Sequence, residues 1–207
     1  MSITPDHLRA ALAVDPFDEE EARVRMAHAH RFEFAKPEEY RDGAVLALFW
    51  PGEEGLTLTL TRRTDRVEHH RGQIAFPGGK REDGESLVET ALRETEEEVG
   101  IDPASIEILG ELPPLAIPVS GFLVHPFVGY TNKRPTYRID PTEVAGVIEA
   151  PLELLLSDGA RGEREWEFRG KTVMVPIYDL PDVNPPPLWG ATAMMLSGLL
   201  ERLKLVL

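Results

Sequence analysis

Hydrophobic and polar positions change period along the chain, and each change marks an element. Gly43–Trp50 (GAVLALFW) is an apolar run of strand length, followed by Pro51-Gly52-Glu53-Glu54 and the alternating stretch Gly55–Thr61 (GLTLTLT). That order predicts a buried strand joined to its partner by a turn. Helical spacing predicts helices over Thr4–Ala13 and Glu19–Ala29, with Thr4-Pro5 as a start signal and Asp18 as an N-cap. After a charged loop, Thr64–Arg71, come a short strand at Gln73–Phe76, a helix at Ser86–Val99, and strands near Ile106–Leu112 and Phe122–Tyr130. A segment opening at Pro141–Glu143 runs into a short helix at Leu152–Ser157, and Glu163–Ile177 reads as a hairpin turning at Arg169-Gly170. The proline-rich Pro181–Pro187 is a loop entering a last helix at Trp189–Leu205. The chain shows no internal repeat. The pattern is α+β or α/β, with residues 1–39 as an N-terminal helical extension and 40–207 as the main domain.

The helix at Ser86–Val99 carries two stripes. Val88, Ala91, Leu92, Thr95 and Val99 recur at i, i+3, i+4, i+7 and i+11 and make the core-facing one. Glu94, Glu97 and Glu98 share another face within about one turn. Like charges at that spacing cost about 0.2–0.5 kcal/mol per pair. They also lie toward the helix C-terminus, where the dipole disfavours anions. Local propensity gives no reason for three carboxylates there. A solvated acidic face is the plain alternative; a hard divalent cation such as Mg²⁺ or Mn²⁺, which takes oxygen ligands, is the chemical one.

Composition narrows the partners. The 207 residues are 42% hydrophobic, enough for a full core, and 36 acidic against 22 basic residues leave a net charge of −14. That balance argues against a broad nucleic-acid-binding surface. The chain has no cysteine, which excludes thiolate chemistry and suits a reducing cytosol. No basic-then-apolar leader opens MSITPDHLRAALAVD, and no apolar window reaches membrane-spanning length. The expectation is a cytoplasmic protein without membrane contact, and an acidic single domain with a helical extension is compatible with a homodimer.

The acids acquire meaning from their spacing. From Gly79 the chain reads glycine, five residues, Glu85, seven residues, Arg93-Glu94, then Glu97-Glu98, Gly100 and Ile101. This resembles the Nudix hydrolase signature G-x5-E-x7-R-E-U-x-E-E-x-G-U, where U is a bulky apolar residue. The single departure is Thr95 at the first U, where a threonine methyl still suits a buried helix position. The resemblance implies an α/β/α sandwich with a mixed sheet and a metal-dependent attack of water on a diphosphate. It implies Glu94, Glu97 and Glu98 as metal ligands, with a backbone carbonyl at Gly79 as a further candidate. Glu85 is implied to pair with Arg93 as scaffold. For the catalytic base, Glu143 and Glu97 are the two candidates, alongside Glu98 as a catalytic ligand. A helix-start role is the plain alternative for Glu143.

The flanks address the substrate. Leu60–Gly79 (LTRRTDRVEHHRGQIAFPGG) resembles the coenzyme A diphosphatase stretch L-L-T-x-R-[S/A]-x3-R-x3-G-x3-F-P-G-G, matching at Leu60, Thr61, Arg63, Gly72, Phe76, Pro77, Gly78 and Gly79. Thr59, Thr64 and Glu68 depart from it, and Glu68 replaces an expected arginine. Thr142–Leu156 and Trp189–Leu196 resemble later segments of the same branch. The implied substrate-binding residues are Arg63, Arg71, Gly72, Phe76 and Gly78. The implied reaction is hydrolysis of coenzyme A or a derivative to 3′,5′-ADP and 4′-phosphopantetheine products. The alternatives are ADP-ribose or another nucleoside diphosphate derivative and, outside enzymes, a non-catalytic nucleotide-binding module of the same fold.

Overall fold

The computed structural model describes residues 2–28, 37–64, 72–168, 170–180 and 187–207. The sheet is mixed. Strand β1 (Arg41–Gly52) runs parallel to β7 (Phe122–Tyr130) along one edge, and β5 (Glu107–Glu111) and β6 (Leu115–Ile117) add antiparallel to β7. Along its other edge β1 pairs first with β4 (Gly78–Lys80) and then with β2 (Gly55–Arg63); β2 pairs with β3 (Ile74–Ala75) and, on its outer edge, β8 (Val144–Pro151). Thus β1 and β2 separate, and the chain from Ile74 to Lys80 fills the wedge between them. The strand at Gly78–Lys80 is one that the hydrophobic pattern does not predict.

Strand alternation builds two cores. Ala47 and Phe49 of β1 and Leu56, Leu58 and Leu60 of β2 face helix α5 (Gly190–Lys204), whose Leu196, Leu199 and Leu200 are fully buried. Ala44, Leu46 and Leu48 face the other way, onto Ala91 and Val99 of helix α3 (Leu87–Val99). The result is the α/β/α sandwich that the resemblance implies. On the α3 face of β2 the buried positions are Thr57, Thr59 and Thr61, and the next residue of that row is Arg63. Helices α1 (Pro5–Leu12) and α2 (Glu19–Val24) pack on α5. Asp18 caps α2 as expected, but the helix stops at Val24. Arg23 fastens this part to the core by donating to the carbonyls of Pro113 and Pro114. Beyond the short helix α4 (Leu152–Leu156), strands β9 (Arg161–Phe168) and β10 (Lys171–Tyr178) form the expected hairpin; β11 (Leu188–Trp189) joins β10 and leads into α5. Most of the loop Thr64–Arg71, Arg169 and most of Pro181–Pro187 lie outside the described residues.

Candidate active site

Helix α3 is held in register at both ends. Ser86 accepts from the Glu89 backbone N–H, and the Glu89 carboxylate accepts from the Ser86 N–H at 2.8 Å, a reciprocal capping box. Glu89, which has no role in the sequence reading, therefore caps the helix. At the other end Gly100 is left-handed at φ +72° and its N–H reaches the Glu96 carbonyl at 2.8 Å; a Cβ there would meet the Arg138 backbone at 2.8 Å. Burying a side chain of valine size contributes about 1.5–3 kcal/mol, against a few tenths lost per like-charge pair. Burial of Val99 thus outweighs the acidic face. Thr95 is fully buried and its hydroxyl donates to the Ala91 carbonyl at 2.7 Å, which satisfies the polar atom at the position where the signature has an apolar residue.

Arg93 sits at the centre of the acids. It donates to Glu85 at 2.6 Å, as the resemblance implies, and also to Glu94 at 2.9 Å, to Glu97 at 2.8 Å and to the Lys80 carbonyl at 3.2 Å. The latter three contacts have no place in the sequence reading, although Arg93 and Glu97 stand at i,i+4, where helix side chains are neighbours. Hydrogen bonding from Arg93, helped by the Glu82 N–H and the Thr90 hydroxyl, holds the Glu85 carboxyl at about 2.

Glu98 is the buried acid of the set, 4% exposed. Two backbone bonds tie the following segment to the end of α3: Arg138 N–H to the Val99 carbonyl at 2.8 Å, and Asp140 N–H to the Glu98 carbonyl at 3.0 Å. The turn that ends at Glu143 is joined to β2 by the Thr64 N–H donating to the Glu143 carbonyl at 2.8 Å. A β-bulge follows, since pairing with β2 passes from Arg62↔Gly146 to Arg63↔Val144 and skips Ala145. Glu143 therefore precedes a strand, which removes the helix-start reading. Arg63 lies 3.6 Å from Glu98 and 3.6 Å from Glu143, and the Gly78 N–H donates to Glu98 at 3.3 Å. Burial pushes the Glu98 carboxyl up to about 8; Arg63 and the Gly78 N–H oppose this, while Glu94 and Glu143 add to it. Glu94 is also raised, first by burial, then by Glu97 and Glu143 against the pull of Arg93.

The structure thus brings Glu94, Glu98, Glu143, Arg63, Gly78 and Gly79 into one place. Gly79 lies against Glu94: a Cβ on Gly79 would sit 2.5 Å from the Glu94 carboxylate. Glu97 stands on the rim, its side chain 60% exposed and bonded to Arg93. Gly72 is left-handed at φ +65° just ahead of β3. Phe76 corrects an expectation: it is 3% exposed within the α5-side core, so its ring anchors the chain before Gly78 instead of lining an open site. Arg71 lies outside the described residues. Among the described residues no three Asp, Glu or His side chains converge as a metal cage, because Arg93 draws Glu94 and Glu97 toward itself and Arg63 spans Glu98 and Glu143. The donors nevertheless suit a hard divalent cation: they are all oxygens, and one is a buried carboxylate flanked by two others.

The match to known proteins follows this geometry. A family profile described as NUDIX domain matches residues 40–169. The chain belongs to the Nudix family. Nudix hydrolases generally use divalent metal ions. The chain is 50% identical over 97 residues to a protein of Yersinia enterocolitica named "Uncharacterized Nudix hydrolase NudL", covering 46% of this chain and 49% of that protein. It is 48% identical over 102 residues to the protein of the same name from Yersinia pestis strain Pestoides F, covering 49% and 51%. The match thus spans about half the length of these curated relatives. Among solved structures, the Nudix hydrolase RenU from M. smegmatis superposes with a TM-score of 0.50 at 16% identity, over 62% of this chain and 81% of that one, a likeness of fold. Among the described residues no helix is long and apolar enough to cross a membrane.

Proposed function

We propose that this Nudix chain is a divalent-metal-dependent diphosphatase that hydrolyses coenzyme A or a close derivative to 3′,5′-ADP and a 4′-phosphopantetheine product. The observation that carries this reading is the approach of Arg63 to Glu98 and Glu143, 3.6 Å from each. Arg63 belongs to the stretch resembling coenzyme A diphosphatases, Glu98 to the hydrolase signature and Glu143 to the later segment of the same branch. Three separated pieces of that resemblance meet at one point.

Glu94, Glu97, Glu98 and the Gly79 carbonyl would hold Mg²⁺ or Mn²⁺. When bound, the cation neutralises charge on the diphosphate oxygens and lowers the pKa of a coordinated water. Arg63, with Arg71, binds the diphosphate, for which the planar guanidinium fork is suited. Glu143 takes the proton from the water that attacks phosphorus, and the bond to the bridging oxygen breaks, leaving two phosphomonoester products. Glu97 is the rival base, although its contact with Arg93 favours a scaffold or ligand role. The site handles a small molecule in the cytoplasm.

Glu68 favours a second reading: an anion in place of an expected phosphate-binding arginine suits ADP-ribose or another nucleoside diphosphate derivative. The test is chromatography of products after incubation with Mg²⁺ or Mn²⁺ and, separately, coenzyme A, ADP-ribose, NADH and diadenosine polyphosphates. Release of 3′,5′-ADP from coenzyme A is expected. An inert protein across the panel refutes the enzyme reading and leaves a binding module.

A further inference from the structure

Two arginines touch the acids of this site, and they do so differently. Arg93 makes hydrogen bonds of 2.6–2.9 Å to three carboxylates and one of 3.2 Å to the Lys80 carbonyl, so each of its nitrogens is engaged. It is a strut. Arg63 faces Glu98 and Glu143 at 3.6 Å, beyond the usual length of an N–H···O bond. Its backbone is fixed in β2, with the Arg63 N–H on the Gln73 carbonyl at 3.0 Å, so movement falls to its partly exposed side chain. Among the described residues, Arg63 is the only cation within ion-pair distance of Glu98. A buried carboxylate flanked by Glu94 and Glu143 is costly without a counter-charge. A loose guanidinium meets that need without the geometry of a permanent bond.

We infer that Arg63 is the resting counter-ion of Glu98 and Glu143, and that a divalent cation entering the site displaces it toward the substrate diphosphate. The inference rests on the metal-dependent reading above. Cation and guanidinium compete for the same carboxylates and repel each other, whereas a diphosphate offers the fork a bidentate partner. Free enzyme is thereby restrained from holding metal, and substrate relieves the restraint by drawing Arg63 away. By linkage, metal and diphosphate strengthen each other's binding partly through this side chain.

The test is Mn²⁺ binding to free protein by calorimetry at pH 8.5, without substrate. Arg63→Met should bind Mn²⁺ about tenfold more tightly than the unaltered chain, the scale on which one adjacent opposite charge moves the proton affinity of a carboxylate. Arg63→Lys, which keeps the charge, should stay near the unaltered affinity. Arg62→Met removes the same charge from the opposite face of β2 and should change little, which separates local competition from net charge. Methylenediphosphonate, a non-hydrolysable diphosphate, should raise Mn²⁺ affinity less in Arg63→Met than in the unaltered chain. Equal or weaker Mn²⁺ binding by Arg63→Met overturns the counter-ion role. Absence of Mn²⁺ binding by the unaltered chain and by Arg63→Met alike, with methylenediphosphonate present, overturns instead the metal-dependent reading beneath it.

Discussion

Arg93 grips Glu85 through two nitrogens, Nε to Oε1 at 2.6 Å and Nη2 to Oε2 at 3.2 Å, and so clamps the loop before α3 to the middle of that helix. The clamp has a pH signature. Glu85 is held at about 2 against an ordinary value of 4.5, so its contribution is complete above about pH 4.5 and is lost as pH falls toward 2. Glu85→Gln should melt below the unaltered protein at pH 7, and the gap should close on acidification toward pH 2. A gap that stays constant across that range would show that the clamp does not depend on the Glu85 charge.

The adjacent glycines separate folding from function. A Cβ on Gly78, which sits at φ +148°, would meet the Ala44 carbonyl at 2.3 Å and Val45 Cα at 2.6 Å, both backbone atoms. Gly78→Ala should therefore cost about 2–4 kcal/mol in urea unfolding. At Gly79 the new methyl would instead strike the end of the Glu94 side chain at 2.5 Å, which can swing aside. Gly79→Ala should fold nearly normally and lose most Mn²⁺ affinity, measured by calorimetry.

Glu98 burdens the metal-free fold. Its carboxyl is raised by burial from 4.5 to about 8, so the folded state holds its proton more tightly than the unfolded chain. Stability is full below about pH 4.5 and is lost as pH rises through 8, by roughly 5 kcal/mol at most. In chelator, Glu98→Gln should melt above the unaltered protein at pH 8.5 and level with it near pH 4.5, while hydrolysis is abolished at any pH. A variant no more stable at pH 8.5, or one with near-normal turnover, contradicts this assignment.

How much of this was legible follows from which interactions are local. The caps at Thr4 and Asp18, the β1–β2 hairpin and the α3 core stripe are set within a few residues, and capping signals and periodicity found them. The strand at Gly78–Lys80 was hidden because glycine has low strand propensity. It forms through long-range pairing with Gly43–Val45, where a Cβ on Gly43 would strike the Gly79 carbonyl at 2.8 Å. For β8 the motif resemblance marked the segment without its conformation, since its partner β2 lies some eighty residues earlier. The signature identified Glu94, Glu97 and Glu98 as a set, but not that Arg93 occupies two of them and Arg63 faces the third. Those partners depend on how the wedge of β3 and β4 brings β2 to α3.

Glu143 is the proposed base, half exposed beside Arg63 and outside the arginine clamp of α3. Glu143→Gln should lower kcat by about 10²–10⁴-fold with little change in melting temperature. Glu97→Gln, removing an exposed carboxylate already bonded to Arg93, should cost less. Steady-state kinetics of the two variants side by side decide between the bases, and the reverse order would transfer the role to Glu97.

On the proposed function, the stretch Leu60–Gly79 aims this hydrolase site at coenzyme A. The decisive comparison is kcat/KM for coenzyme A and for ADP-ribose with the same Mn²⁺-loaded protein. Coenzyme A should be the better substrate, releasing 3′,5′-ADP; ADP-ribose cleaved far faster, or neither cleaved, would contradict it.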